Sequence, residues 1–286
     1  MDKPLKYAVF GAGSWATAIV KMLSENLDEI GWYMRSVYTK EHLLKEQHNP
    51  NYLSSVEFNL EQLKLSNDIN EIADYADVLI FVIPSAFMHS ELEKLNINIS
   101  NKVIVSAVKG IMPETGLLVG EHFHKTYKIP FDSIAVIAGP CHAEEVALER
   151  LSYLTISCSD TEKAKTIADT LSSNYIKTKT SDDVIGVEYA VMLKNIYAIA
   201  AGIAHGLGYG DNFQSVLMSN AIREMKRFIK KRHKMKRNIN NSAYLGDLLV
   251  TGYSVFSRNR MFGNMIGKGY TVKSAQMEMS MIAEGY

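Results

Sequence analysis

Residues 6–20, KYAVFGAGSWATAIV, decide the fold. A short β-branched and aromatic run ends at a glycine, one residue, a second glycine, and then an apolar pattern of helical period. Gly11 permits a tight turn out of a strand, and Gly13 lets backbone N–H groups come close to a pyrophosphate. Where many such loops place a third glycine, Ala16 is still small enough for close packing of helix on strand. The helix N-terminus adds its positive dipole end. With a strand before it and a helix after it, the stretch reads as a dinucleotide-binding turn and not merely a structural one.

Working outward, DVLIFVIPS, KVIVSAVKG, SIAVIAGP and SYLTISCS are further short runs, mostly too continuously apolar for a sheet with one wet face. That suits parallel strands covered on both sides. Helical stretches such as TAIVKMLSENL and GLLVGEHFHKTY lie between several of them. The pattern predicts an α/β fold, an N-terminal Rossmann-type doubly wound sheet over residues 1–182. An all-helical C-terminal domain is expected over 183–286, where long helical patterns replace strand runs and VIGVEYAVMLKNIYAIAAGIAHG reads as one mostly buried helix.

The 31 basic and 31 acidic side chains balance, so nothing global points to nucleic acid or an anionic membrane. KRFIKKRHKMKR, residues 226–237, holds eight Lys or Arg in twelve, and without stacking aromatics it reads as a solvated helix end. Cys141 and Cys158 have neither disulfide-framework density nor metal-ligand spacing, so no metal is expected. No secretory signal and no uninterrupted apolar run of membrane-spanning length is visible. The expectation is a cytoplasmic protein without integral membrane association.

The end of the second strand, GWYMRSVY, offers Arg35 where NAD-selective folds carry an acid for the ribose hydroxyls. Arg35 is either a 2′-phosphate ligand or an ordinary surface arginine, and NAD against NADP stays open. Between Val187 and Ala204 the only charged residues are Glu188 and Lys194. A lysine on an apolar helix meets a desolvation cost unless partnered, and burial moves such a group toward the range useful for acid–base work. The neighbouring Ala190, Ala198 and Ala201 leave room for a ligand. Asn195 follows directly. Downstream, YLGDLLVTGYSVFSRNR gathers Asp247, Thr251, Ser257, Arg258, Asn259 and Arg260. Asp247 precedes an apolar run, where a buried carboxylate wants a partner such as an ammonium group. SRNR is rich in phosphate donors, although taken alone it reads sooner as a solvated polar turn.

Together these blocks resemble the NAD(P)-dependent glycerol-3-phosphate dehydrogenases of bacterial type. The resemblance runs from GAGSWATAIV through IPS, SAVKGI, AGPCHAEEVA, LKNIYAIAAGI and SRNRMFG to AEGY, essentially the whole chain. It implies reversible NAD(P)H-dependent reduction of dihydroxyacetone phosphate to sn-glycerol 3-phosphate, the backbone for phospholipid synthesis. By resemblance Lys194 is the catalytic acid/base, and Lys109 touches both cofactor and substrate. Gly139, Cys141, Asn195, Asp247, Thr251, Ser257, Arg258 and Asn259 fall on substrate positions. Gly11, Gly13, Ser14, Trp15, Arg35, Ala143, Arg258, Ile282 and Glu284 fall on cofactor positions. A homodimer is one assembly the resemblance allows.

The chain departs from the family pattern at several places. Cys141 and His142 stand where Ser or Thr and then Phe are common, and a thiol is a poorer donor. His205 replaces a usual aspartate and reads as a helix-end residue. Glycines usual near the aspartate are reduced to LGDLL, and the sequence stops at EGY where relatives continue, an expected effect on stability or dimer packing. Two rivals remain. Another two-domain hydroxy-acid dehydrogenase would not need the SRNR donors, and a non-catalytic NAD(P)-sensing protein would leave Lys194 and Asp247 unexplained.

Overall fold

Strands β1 (Tyr7–Phe10), β2 (Ile30–Tyr33), β4 (Val78–Phe81) and β6 (Ile134–Ala138) are buried at every position, as their unbroken apolar runs require. With β3 (Leu63–Ser66), β5 (Val103–Ser106), β7 (Ser152–Cys158) and β8 (Ile176–Ser181) they form one eight-stranded sheet in the order β3-β2-β1-β4-β5-β6-β7-β8. The pairs β1–β2, β1–β4, β2–β3, β4–β5, β5–β6 and β7–β8 are parallel. The first six positions are the Rossmann order, in which the strand order reverses between β1 and β4 and opens a crevice at their carboxyl ends. Intervening helices are α1 (Ser14–Ser24), α2 (Val37–Glu46), α3 (Ile69–Tyr75), α4 (Ser85–Leu92), α5 (Val119–Tyr127), α6 (Ala143–Ala147) and α7 (Thr161–Leu171).

The computed structural model describes residues 4–279 and 283–286. The chain divides into two compact units, Met1–Ile137 with Cys141–Val184, and Ala138–Pro140 with Ile185–Tyr286. In the first, Phe10 stacks on Phe81 at 4.7 Å between centroids, and Phe81 meets Phe123 at 4.7 Å. Each such fully buried ring contributes about 1.5–3 kcal/mol of transfer free energy. The sequence runs missed β3 and β8, and both are edge strands. Their mixed burial and their lysines, Lys64, Lys177 and Lys179, blunt the open edges and hide the apolar signal.

The second unit is helical: α8 (Val184–Gly206), α9 (Asp211–Arg232), α10 (Asp247–Tyr253), α11 (Arg258–Gly267) and α12 (Val272–Glu278). By length and composition α8 is able to cross a membrane, but 67% of its most apolar stretch is buried within this protein. It is a core helix that carries buried Glu188, Lys194 and Asn195. Gly202 and Gly206 of α8 face Gly263 and Gly267 of α11 so closely that any Cβ would strike opposing backbone. The basic residues Lys226, Arg227, Lys230, Lys231 and Arg232 are exposed at the end of α9.

Candidate active site

The glycine loop between β1 and α1 is built for an anion. Gly11 has φ +126°, and a Cβ there would lie 3.0 Å from the Val82 carbonyl oxygen at the end of β4. Three successive carbonyls of the loop are held by the protein. The Trp32 indole donates to Gly11 O at 2.7 Å, Asn49 Nδ2 to Ala12 O at 3.0 Å, and Thr17 Oγ1 to Gly13 O at 3.0 Å. In trans peptides the N–H points opposite to the carbonyl, so the N–H groups of Ala12, Gly13 and Ser14 turn the other way. Gly13 caps α1 without a side chain, the first turn holds no acid, and no atom lies within 4 Å of a Cβ built on Gly13. Positive dipole end, small residues and outward N–H groups fit a pyrophosphate.

Sequence reasoning missed Trp32 and Asn49. Asn49 is fully buried and also donates to Thr17 Oγ1 at 2.9 Å, so one side chain locks the loop to the helix it precedes. Asn49→Ala therefore raises KM for the coenzyme about tenfold, the worth of one buried hydrogen bond. Steady-state kinetics with saturating second substrate checks this, and an unchanged KM would detach Asn49 from the loop's function.

Of the other expected cofactor positions, Ser14, Trp15, Arg35, Lys109 and Ala143 lie in the same unit, and Arg258, Ile282 and Glu284 belong to the second. Ser14 is buried, and Lys109, on the segment after β5, places its Nζ 5.3 Å from the Trp15 ring centroid. Ala143 is buried at the start of α6, and Cys141 packs with it in the apolar core. Arg35, just beyond β2, is exposed and has its Nη1 3.8 Å from Glu91 Oε1.

The second unit supplies the ionic centre. Lys194 Nζ donates to Asp247 Oδ1, and both residues are buried, 4% and 2% exposed. Asp247 Oδ2 accepts from the Gly139 backbone N–H at 3.2 Å, from the short Ala138–Pro140 segment that joins this unit. Gly139 has φ +123°, a conformation that favours glycine. Asp247 starts α10 directly after a π-helical turn, Ser242–Gly246, and Thr251 Oγ1 fixes it by donating to its carbonyl at 2.6 Å. The lysine thus meets its desolvation cost through a partner on another helix. The alanines expected to leave room for a ligand do not: Ala190, Ala198 and Ala201 are covered by protein, and their size serves packing.

Ser257 caps α11, its Oγ accepting from Arg260 N at 3.3 Å, and Arg258 opens the helix. Asn259 Oδ1 accepts from Gly285 N–H at 2.9 Å, while a Cβ on Gly285 would lie 2.8 Å from the Asn195 backbone. Asn195, Asn259 and the segment bearing Glu284 therefore gather in one place. Ile282 lies outside the described residues. His205 shares a hydrogen bond with Asn264 Oδ1 at 3.0 Å. Among the described residues no three His, Cys, Asp or Glu side chains group to hold a metal ion.

A Rossmann unit with an anion-ready glycine loop, followed by a helical unit with a buried lysine–aspartate pair, defines a dinucleotide-dependent oxidoreductase. Comparison with known proteins narrows the class. Residues 6–164 match the family model for the NAD-dependent glycerol-3-phosphate dehydrogenase N-terminus, and residues 183–286 the model for its C-terminus. The chain is 34% identical over 284 residues to glycerol-3-phosphate dehydrogenase [NAD(P)+] of Macrococcus caseolyticus, covering 98% of this chain and 85% of that protein. It is 36% identical to the Bacillus subtilis enzyme of the same name, over 98% and 81% of the two chains. The crystal structure of glycerol-3-phosphate dehydrogenase from Coxiella burnetii superposes with a TM-score of 0.89 at 28% identity, covering 98% of this chain and 86% of that one. The chain belongs to the NAD-dependent glycerol-3-phosphate dehydrogenase family.

Proposed function

We propose that this protein catalyses the reversible NAD(P)H-dependent reduction of dihydroxyacetone phosphate to sn-glycerol 3-phosphate. The observation that carries the reading is the buried Lys194–Asp247 pair held by the Gly139 amide, in a chain whose two halves match the two halves of one dehydrogenase family. When bound, the nicotinamide supplies the hydride that turns the C2 carbonyl into an alcohol. Lys194 donates the accompanying proton to the carbonyl oxygen and takes it back in the reverse direction. Asp247 has one oxygen on the ammonium and the other on an amide, so the carboxylate cannot swing and the ammonium has a fixed direction.

The substrate phosphate falls to the start of α11, where Arg258 offers a planar fork of donors beside a positive helix end. Asn195, Thr251 and Asn259 order the surroundings, and Lys109 with Trp15 serves the coenzyme side. Arg35 receives the 2′-phosphate when NADPH is used. The reading includes a cytoplasmic homodimer whose product feeds phospholipid synthesis; the burial of α8 and the balanced charge support the soluble setting.

The test is oxidation of NADH and NADPH dependent on dihydroxyacetone phosphate, followed by loss of reduced-nicotinamide absorbance. Arg258→Ala raises KM for the phosphorylated substrate by about 10–100-fold, the worth of charge-assisted hydrogen bonds. An unchanged KM would remove Arg258 from phosphate binding.

A further inference from the structure

Coenzyme choice in this fold is read at the end of β2, where selectivity for an unphosphorylated ribose ordinarily rests on a carboxylate. This chain has Arg35 there, yet a carboxylate reaches the same corner from another element. Glu91, in the last turn of α4, is 3% exposed. Its Oε2 accepts from the Tyr33 hydroxyl at 2.5 Å, its Oε1 from Lys94 Nζ at 2.7 Å, and Arg35 Nη1 stands 3.8 Å from that same Oε1. The Arg35 side chain is 67% exposed and its guanidinium carbon lies 5.9 Å from the Phe87 ring centroid.

Burial opposes ionisation of Glu91, but the hydrogen bonds from Lys94 and Tyr33 outweigh it and hold the carboxyl below its usual range. Glu91 is thus an anion at neutral pH. Both of its oxygens are engaged and it is nearly inaccessible, so it does not hydrogen-bond a ribose hydroxyl itself. At 3.8 Å the contact with Arg35 is an ion pair without a hydrogen bond, so Glu91 acts on the guanidinium through its charge and not by accepting from it. A 2′-phosphate on Arg35 would share that cation with a fixed anion beneath it.

Resting on the reading that Arg35 receives the 2′-phosphate, we propose that Glu91 is a positioning residue that sets coenzyme preference. Its buried carboxylate holds part of the Arg35 charge and narrows the advantage of the 2′-phosphorylated coenzyme, so that NADH competes. A protein without this anion discriminates more strongly for NADPH.

The test is kcat/KM for NADPH and NADH in the wild type, Glu91→Gln, Glu91→Asp, Arg35→Ala and the double variant Arg35→Ala/Glu91→Gln. Glu91→Gln raises the NADPH-to-NADH ratio about fivefold, the scale of one partly screened charge at this range, through a lower KM for NADPH with kcat unchanged. Glu91→Asp keeps the charge and stays near the wild-type ratio, and the gain disappears when Arg35 is absent. A ratio unchanged or lowered in Glu91→Gln overturns the proposal, as does an equal loss with both coenzymes, the signature of a merely structural role. If Arg35→Ala leaves the wild-type ratio unmoved, the 2′-phosphate reading itself falls; if it lowers the ratio while Glu91→Gln is inert, only Glu91 is removed. Should Glu91→Gln not fold, the double variant Tyr33→Phe/Glu91→Leu removes the anion together with its buried hydroxyl donor and reads the same ratio, and no rise in it overturns the proposal.

Discussion

Lys194→Met lowers kcat/KM for dihydroxyacetone phosphate by about 10²–10⁴-fold, the contribution expected of a positioned proton donor. Methionine keeps the apolar stem and its length while removing the ammonium, so the loss reports the proton and not the packing. The change also strands the Asp247 carboxylate, 2% exposed, without its ammonium partner, while its other oxygen still accepts from the Gly139 amide. Breaking a buried pair in this way costs about 3–5 kcal/mol. A second variant separates the two effects. Lys194→Met/Asp247→Leu removes both charges and recovers much of the stability, because a buried apolar pair of similar volume is tolerated. It does not recover turnover. Urea denaturation of both variants, beside initial rates, measures each quantity. Restored activity in the double variant would show that Lys194 serves the fold and not the proton transfer.

The parts of this enzyme legible in its sequence are those whose cause is local. The run from Tyr7 to Val20 announces strand, turn and helix because the glycines and the change of period sit next to one another. Lys194 and Asp247 are 53 residues apart, but each is conspicuous alone as a charge in an apolar setting, and each asks for a partner of the other's sign. Trp32 and Asn49 gave no such signal. Their role is to hold carbonyls of a loop 21 and 37 residues away, and neither spacing nor composition reports a hydrogen bond across that gap. Glu91 was silent for the same reason, since on an exposed-looking SELEK stretch it reads as a surface acid until α4 is laid beside β2. The alanines around Lys194 misled because small residues on a helix leave space for a ligand or for another helix, and only packing decides which.

The second large effect concerns that packing. Gly202→Ala destabilises the protein by about 1–3 kcal/mol or more, the cost of forcing a methyl into a filled seam. In a helix interior alanine is otherwise favoured over glycine by about 1 kcal/mol, so propensity alone gives the opposite sign. Sterics win because the methyl meets backbone: the Arg260 carbonyl oxygen lies well inside contact distance, and Asn264 N is 2.7 Å away. A flexible side chain could turn aside, but a helix backbone must move as a body. Gly206, Gly263 and Gly267 are confined in the same way, so relief at one point is resisted at the next. The displaced helix begins at Arg258 and the fixed one carries Lys194. KM for dihydroxyacetone phosphate therefore rises in Gly202→Ala even at temperatures where the variant is folded. Gly210→Ala is the control, since no atom lies within 4 Å of its Cβ position and its φ of −82° suits any residue. That substitution stays within about 1 kcal/mol of wild type by urea midpoint at constant m. Equal stability of the two variants would mean that α8 and α11 part without cost, and the glycine seam would lose its role in holding Lys194 and Arg258 in register.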